Sequence, residues 1–517
     1  MVNPFKKIAI FFCISSFALN AQSLLFPGDY FFDLHRQREA LKDTSSYPLH
    51  LSMQPFIYTI DPKIDTFNYY IEDAGRSGRR LLFENLIRVN VKDPRAGNAN
   101  FKLSIDPVFN FQGGSDISAT KLEKIYTNSR GAWVKGSINE KIKFESAFFE
   151  NQSTFASYVD DFAISTGVVP GQGRYKNFKL NGYDYAFASG VISYEASRNF
   201  SIQAGHGKQK TGNGYRSLLL SDNAMNYPFV RFNSRFFKGR VQYTNIYASL
   251  MNLTSGGAKT PPGTERLFQK KAAAFQQLSW QIHKRVNLSF FQGMIWNASD
   301  SSNRQHIDPG YVNPVIFTHA AAYGLHGKNN IVLGADLQVK LFKSLALYGQ
   351  LMLDDLDSVK ISNSKAGFQL GMKYYDVFTL KNLFVQAELN SIRNYPYLSA
   401  YPSQDYAHYN QGLAYPFSLY RGNEIVLILA YNYKRFFGQF KVNLFTNETE
   451  FTHQQLAFGD FKAGFMINPK TNTNICAGVN YRDSSIKNDN TGSTSVAFNT
   501  LVYFSLRTSL YNVYWDF

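Results

Sequence analysis

The chain of 517 residues holds two cysteines, and Cys13 falls inside an apolar stretch near the start, leaving Cys476 for the remainder. One thiol forms no intramolecular disulfide and builds no cysteine-based metal site. Long apolar runs are missing as well. Beyond that early stretch nothing reaches the ~18 consecutive apolar residues that would mark a membrane-crossing helix. Local catalytic signatures are absent: there is no G-x-S-x-G elbow, no H-E-x-x-H and no phosphate-binding G-x-x-x-x-G-K-[ST]. The chain therefore reads as a non-enzyme with no cofactor and no metal. A Ser–His pair assembled across strands, His206 with Ser217 or Ser221, is the one catalytic candidate. Acidic residues are outnumbered, 38 against 54 Lys and Arg, for a net charge of +16. The positive charges are spread thinly, which with an export signal argues against a nucleic-acid partner. They suit anionic glycans, lipid headgroups or a plain solvated surface.

That export signal lies at the start. Lys6 and Lys7 precede an apolar run over residues 8–19, and Ala21 follows. A positive head, a short apolar core and a small residue at the cut make a secretory signal peptide, residues 1–21. Aromatics are abundant, at 16% of residues, yet the mean hydropathy is −0.27. Apolar residues hidden in alternation reconcile the two, and this is the composition of an exported outer-membrane β-barrel.

The alternation is explicit. In FKLSIDPVFNFQ, residues 101–112, Phe101, Leu103, Ile105, Pro107, Phe109 and Phe111 share one face, and Lys102, Ser104, Asp106, Asn110 and Gln112 the other. A period of two is the strand signature. Pro107 lacks an amide donor and predicts a bulge or an irregular edge. Like patterns recur at residues 132–138, 345–354, 383–390 and 438–444. Short links near 139–141, 196–199, 237–239, 283–286, 342–344, 434–436 and 468–474 alternate with long ones. The long ones lie near 113–129, 151–182, 208–227, 252–265, 297–330, 355–364, 391–423, 448–459 and 483–492. Short periplasmic turns and long outer loops are the barrel arrangement. The expected fold is all-β: a transmembrane outer-membrane β-barrel of about 18 antiparallel strands over residues 99–517. Tyr511, Val513, Trp515 and Phe517 alternate to the last residue, which predicts a closing strand whose apolar outer face runs to its end.

Residues 22–98 read differently, as a small N-terminal periplasmic helical or plug region beneath or inside the barrel. PGDYFFDLHRQREALKD predicts a helix with Asp29 as N-cap. Residues 49–60 predict a strand-like piece, and Arg76, Arg79 and Arg80 cluster before an amphipathic stretch at 81–91.

Two loops carry candidate binding residues. The segment at 204–229 sets glycines around His206, Lys208, Lys210 and Arg216; it offers amides and cations to an acidic glycan, or braces the barrel wall. The segment at 394–420 interleaves Tyr395, Tyr397, Tyr401, Tyr406, Tyr409, Tyr415 and Tyr420 with Asp405, His408, Asn410 and Gln411. Sugar rings stack on aromatic faces while their hydroxyls pair with amides and carboxylates, so this loop is the leading candidate for carbohydrate contact. Self-packing of the loop is the alternative. A third loop holds Arg304, His306, Asp308 and His319, too sparse a set to define a metal site. Inward Lys135, Glu388 and Lys441 suit a wet lumen, the basis of a porin alternative.

VVPGQGR (168–174), GHGKQKTGNGYRSLLLSDNA (205–224), NPVIF (313–317), LYGQLMLDD (347–355), HYNQGLAYP (408–416) and LRTSLYNVYWDF (506–517) resemble Wzi-type capsule assembly proteins, most nearly the RemB-like branch associated with gliding motility. The resemblance runs from about residue 82 to the end, and GYRSLLLSDNA is its most specific block. It implies an 18-stranded outer-membrane barrel that holds capsular or exopolysaccharide at the cell surface. For the gliding branch it implies a part in adhesion and movement, with motility or secretion machinery as partners beside outer-membrane lipid.

Overall fold

The computed structural model describes residues 28–42, 48–55, 87–93, 99–118, 123–139, 141–255, 268–298, 309–325, 329–355, 363–399, 401–417, 421–469, 471–509 and 511–517. The signal segment, the arginine cluster at 76–80, and Arg304, His306 and Asp308 lie outside them.

As the alternation predicts, the strands close into an 18-strand antiparallel barrel. It runs in chain order from an opening strand, Ala99–Asp116, to a closing strand, Thr494–Thr508. Leu501–Arg507 of the last pairs with Asp116–Asn110 of the first, so the ring has no free edge along that stretch. In hydrocarbon an open edge would leave each amide and carbonyl unpaired at several kcal/mol apiece. The strand Arg421–Tyr433 shows the two-faced wall. Ile425, Leu427, Leu429 and Tyr431 point outward, each 44–45% exposed, while Glu424, Val426, Ile428 and Ala430 point inward and are buried. No helix among the described residues is long and apolar enough to cross a membrane.

Short turns gather at one end and long loops at the other. One turn escapes the expected set of short links, at residues 376–382. It contains no glycine or proline and instead places Asp376, Phe378, Thr379 and Asn382 at positive φ. Several strands also run further toward the loop end than the pattern suggests: Thr452–Asn468 and Thr473–Asn488 leave only short connections there. A further strand, Ile87–Asp93, pairs with Ile105–Ala99 of the opening strand.

Of the two readings of Pro107 the irregular edge holds and the bulge does not: it pairs in unbroken register with Ala132. On its other side, Asp106–Phe109 falls between the Ile87–Asp93 and Thr494–Thr508 partners, and a residue without an amide donor loses nothing at that gap. The closing strand does not extend to the last residue. It ends at Thr508, and residues 511–517 enter the barrel. There the alternation serves two internal surfaces. Tyr511 packs on Phe149 and Phe187, Trp515 on Phe155 and Phe517 on Phe162. On the other face Tyr514 and Asp516 meet buried polar groups.

The interior also takes up helix α1 (Tyr30–Lys42). Asp29 caps it as expected, its Oδ1 accepting the Phe31 and Phe32 amides at 3.1 and 3.3 Å. Tyr30 donates its hydroxyl to Gln386, Lys373 donates to Gln37, and Arg38 pairs with Asp376 at the short-turn end. Residues 48–55 follow it inward. Met53 and Gln54 pair with Thr211 and Lys210, and His50 is held between Ser279 and the Gly239 carbonyl. Burial lowers the His50 imidazole to about 4, so it stays neutral there.

Candidate functional site

The two loops singled out by composition fold onto each other across the long-loop mouth. Tyr397 donates its hydroxyl to the Leu218 carbonyl at 2.9 Å, and Tyr406 to the Leu219 carbonyl at 2.8 Å. Ser221 donates its amide to Leu413 and its hydroxyl to Ala414. Leu218, Leu219, Leu220 and Leu413 are fully buried between them. The turn at 168–174 joins through Gln411, which accepts the Gly171 amide at 2.6 Å and donates to the Gln172 carbonyl. Helix α2 (Ser157–Thr166) contributes the Thr166 carbonyl, which accepts from Asn410 at 2.9 Å. Thus VVPGQGR, the glycine-rich block, HYNQGLAYP and the end of the chain are neighbours in one internal plug.

Glycine has a specific purpose here. A Cβ on Gly214 would lie 2.6 Å from both Gln369 Oε1 and Glu388 Oε2, and Gly212 sits at φ +111°. Only glycine lets this loop dive against the lumen wall. That approach brings the Tyr215 and Arg216 amides onto the Glu388 carboxylate, at 2.7 and 3.0 Å.

Around Arg216 lies a buried ionic network. Its guanidinium meets Glu424 at 2.8 Å and Asp516 at 3.3 Å. Lys441 completes the group at 2.8 Å from Asp516, and Tyr215 donates its hydroxyl to the same carboxylate. Burial alone would raise the Asp516 pKa; Arg216 and Lys441 overcome it and hold the carboxyl below its ordinary value. Lys208 spends its ammonium on the Gly171 and Asp222 carbonyls, and burial lowers it to about 8. Lys210 donates to the Tyr215 carbonyl at 3.1 Å. Glu388 and Lys441, read from sequence as lumen-lining, are buried under this plug.

The predicted site residues therefore separate into two groups. Tyr397, Tyr406, His408, Lys208, Lys210 and Arg216 are buried, with their polar atoms engaged inside the protein. His408 accepts the Met251 amide on Nδ1 and donates from Nε2 to the Asn226 carbonyl. Tyr401 is 55% exposed, Asn410 is exposed, and Tyr395, Asp405 and Tyr409 are half-buried. Asp405 accepts the Ser399 amide, and burial raises its carboxyl. Tyr395, Tyr397, Tyr409 and Asn410 all adopt positive φ, a conformation costing each tyrosine about 1–2 kcal/mol, so packing must impose this loop shape. The catalytic candidate does not assemble: His206 Nδ1 meets the Ala188 carbonyl, while Ser217 and Ser221 donate to Thr211 and Ala414. The sequence reading missed Asp516 and Glu424. Their shared partner Arg216 lies 208 and 300 residues away, and no local signal marks them.

In fold, this is a Wzi-like β-barrel of the outer-membrane type. No family model matches the chain, and no curated protein matches it. Among solved structures it is similar to Wzi of Escherichia coli, an outer-membrane protein involved in group 1 capsule assembly and a carbohydrate-binding β-barrel. The two share 12% identity at a TM-score of 0.54, over 94% of this chain and 100% of that one. Two Pseudomonas aeruginosa proteins follow: OccK8 (OprE) at a TM-score of 0.40 and 10% identity, and the outer-membrane protein opdK at 0.43 and 9%. Each match covers 79% of this chain and 98% of the other.

Proposed function

We propose that this chain is a non-enzymatic outer-membrane barrel that binds and assembles capsular or exopolysaccharide at the cell surface. It would be exported by its cleaved signal peptide. The observation carrying the reading is the joining of the two loops across the mouth. A plug with a buried charge network suits a barrel that grips a polymer outside better than one that passes solutes. Within that plug the buried tyrosines, His408 and the three cations position the loops. The glycan contact falls to Tyr395, Tyr401, Asp405, Tyr409 and Asn410, which supply ring faces and polar groups at the rim. Adhesion and gliding motility follow from holding such a polymer, with motility or secretion machinery as further partners.

Replacing Tyr401 and Tyr409 together by Ala removes two stacking faces worth about 1 kcal/mol each. The cell's own purified polysaccharide should then bind roughly tenfold or more weakly, with heat-modifiable gel mobility unchanged. Unaltered retention would remove the rim from the site. The porin alternative forecasts steady planar-bilayer conductance for the intact chain, whereas this reading forecasts silence.

A further inference from the structure

The outer wall carries a feature that the plug does not use. Three adjoining hollows of about 380, 560 and 330 Å³ meet at Tyr126, near the loop end of the barrel. Tyr126 and Asn128 point outward, since their neighbours Ile125 and Ser129 are buried inside. Register sets out the surface. One row runs Phe504, Gly113, Tyr126 and Thr154 across adjacent strands; the next runs Phe111, Asn128 and Gln152. Gly113 leaves the dent, because a Cβ placed there would meet nothing within 4 Å.

The two flanks differ in chemistry. Toward the closing strand, Phe504, Val502 and Phe111 are 42–55% exposed and continue the hydrocarbon-facing band. Toward the strands Glu123–Ile138 and Ile142–Thr154, the outward face turns polar at Arg130 and Glu150 and continues with Asn128 and Gln152. Exposed Lys124 and Lys179 stand at the groove, Lys179 over the Phe178 ring at 5.1 Å. Lys176 and Asp184 face each other on its far edge. Phe178 and the exposed Leu180 also line that far end, so a molecule offering hydrocarbon toward the closing strand and a hydrogen-bonding, anionic group toward Lys124 and Lys179 suits the groove.

We propose that this outward groove binds a lipid with a phosphorylated sugar headgroup, its chains on the Phe504–Val502–Phe111 flank. The headgroup lies against Tyr126, Asn128 and Gln152, with its phosphate toward Lys124 and Lys179. Continuity with the lipid-facing band commits the occupant to a membrane lipid. Amides beside an aromatic face select a sugar headgroup over a plain phosphodiester.

The test is native mass spectrometry of the full chain in detergent, titrated with lipid A, an acylated phosphorylated disaccharide. Wild type should retain one lipid A and hold phosphatidylglycerol at least tenfold less well. Gly113→Leu fills the dent, and the double variant K124E/K179E reverses the charge. Each should weaken retention at least tenfold while heat-modifiable mobility and polysaccharide binding at the mouth persist. Should Gly113→Leu fail to fold, the exposed lysine pair decides alone. Unchanged retention in the folded variants overturns the site. Equal retention of phosphatidylglycerol overturns the sugar preference. Full competition by the deacylated disaccharide overturns the lipid assignment.

Discussion

The wall and the plug of this molecule are built by opposite rules. In the wall, one requirement repeats: backbone polar groups pair with neighbouring strands, the gap at residues 106–109 apart, and alternate side chains face outward, apolar along most of the band. No single residue dominates, because each contributes the same pair of bonds. In the plug, irregular backbone buries charges, and a few specific partners from distant segments hold it. Arg216 joins a loop, the wall residue Glu424 and the tail residue Asp516. Distributed order tolerates substitution, and concentrated order does not. The plug should therefore open while the wall stands.

The sharpest way to break the comparison is Arg216→Met. It leaves Glu424 buried without its cation, and removing one member of a buried pair typically costs about 3–5 kcal/mol. Hydrogen exchange at residues 208–226 and 511–517 should rise by orders of magnitude, and conductance should appear, while heat-modifiable mobility stays that of a folded barrel. Loss of the barrel itself would mean that wall and plug fold as one unit.

A second effect is smaller and reversible. Burial holds His408 near a pKa of about 3, against an ordinary 6.5. The Asn226 contact pulls upward and Lys271 downward, and neither reverses the burial effect. With Nδ1 accepting the Met251 amide, protonation would turn an acceptor into a donor facing a donor. The released loop takes up the proton more readily, so the stabilisation is full above pH 6.5 and falls as pH drops toward 3. At pH 5 the loss is about 2 kcal/mol. Exchange at residues 394–417 should quicken from pH 7.5 to pH 5, and His408→Gln should flatten that dependence. The Asp516 contribution has a different window. Its carboxyl lies below the ordinary 3.8, so the tail contact persists at pH 5 and fails only in stronger acid.

The same division decides what the sequence makes legible. A period of two is a local property, so strand number, closure and the Asp29 cap are readable from short stretches. The turn at 376–382 is hidden because ordinary residues adopt positive φ there. The tail misleads for a better reason: alternation looks identical whether a segment separates lipid from lumen or two packed interior surfaces. At the candidate site, aromatic and cationic composition marks the right loops. It does not tell an exposed Tyr401 from a buried Tyr406, because burial depends on Leu219 and Phe275, which come from elsewhere in the chain.

The smallest expected effect lies within the wall, where paired substitutions separate lipid contact from plug contact. Leu427 faces outward at 45% exposure, and Ile392 faces inward at 1%, beside the buried cluster of the mouth. Lipid chains are as apolar as leucine, so Leu427→Ala trades one hydrocarbon contact for another. Its cost should stay below about 1 kcal/mol. Ile392→Ala instead opens a cavity in packed protein, at about 2–5 kcal/mol. Urea titration of the two variants in the same lipid should give midpoints that differ in this order. Equal losses would mean that the outward leucine packs against protein, and that a second chain rather than lipid covers this face.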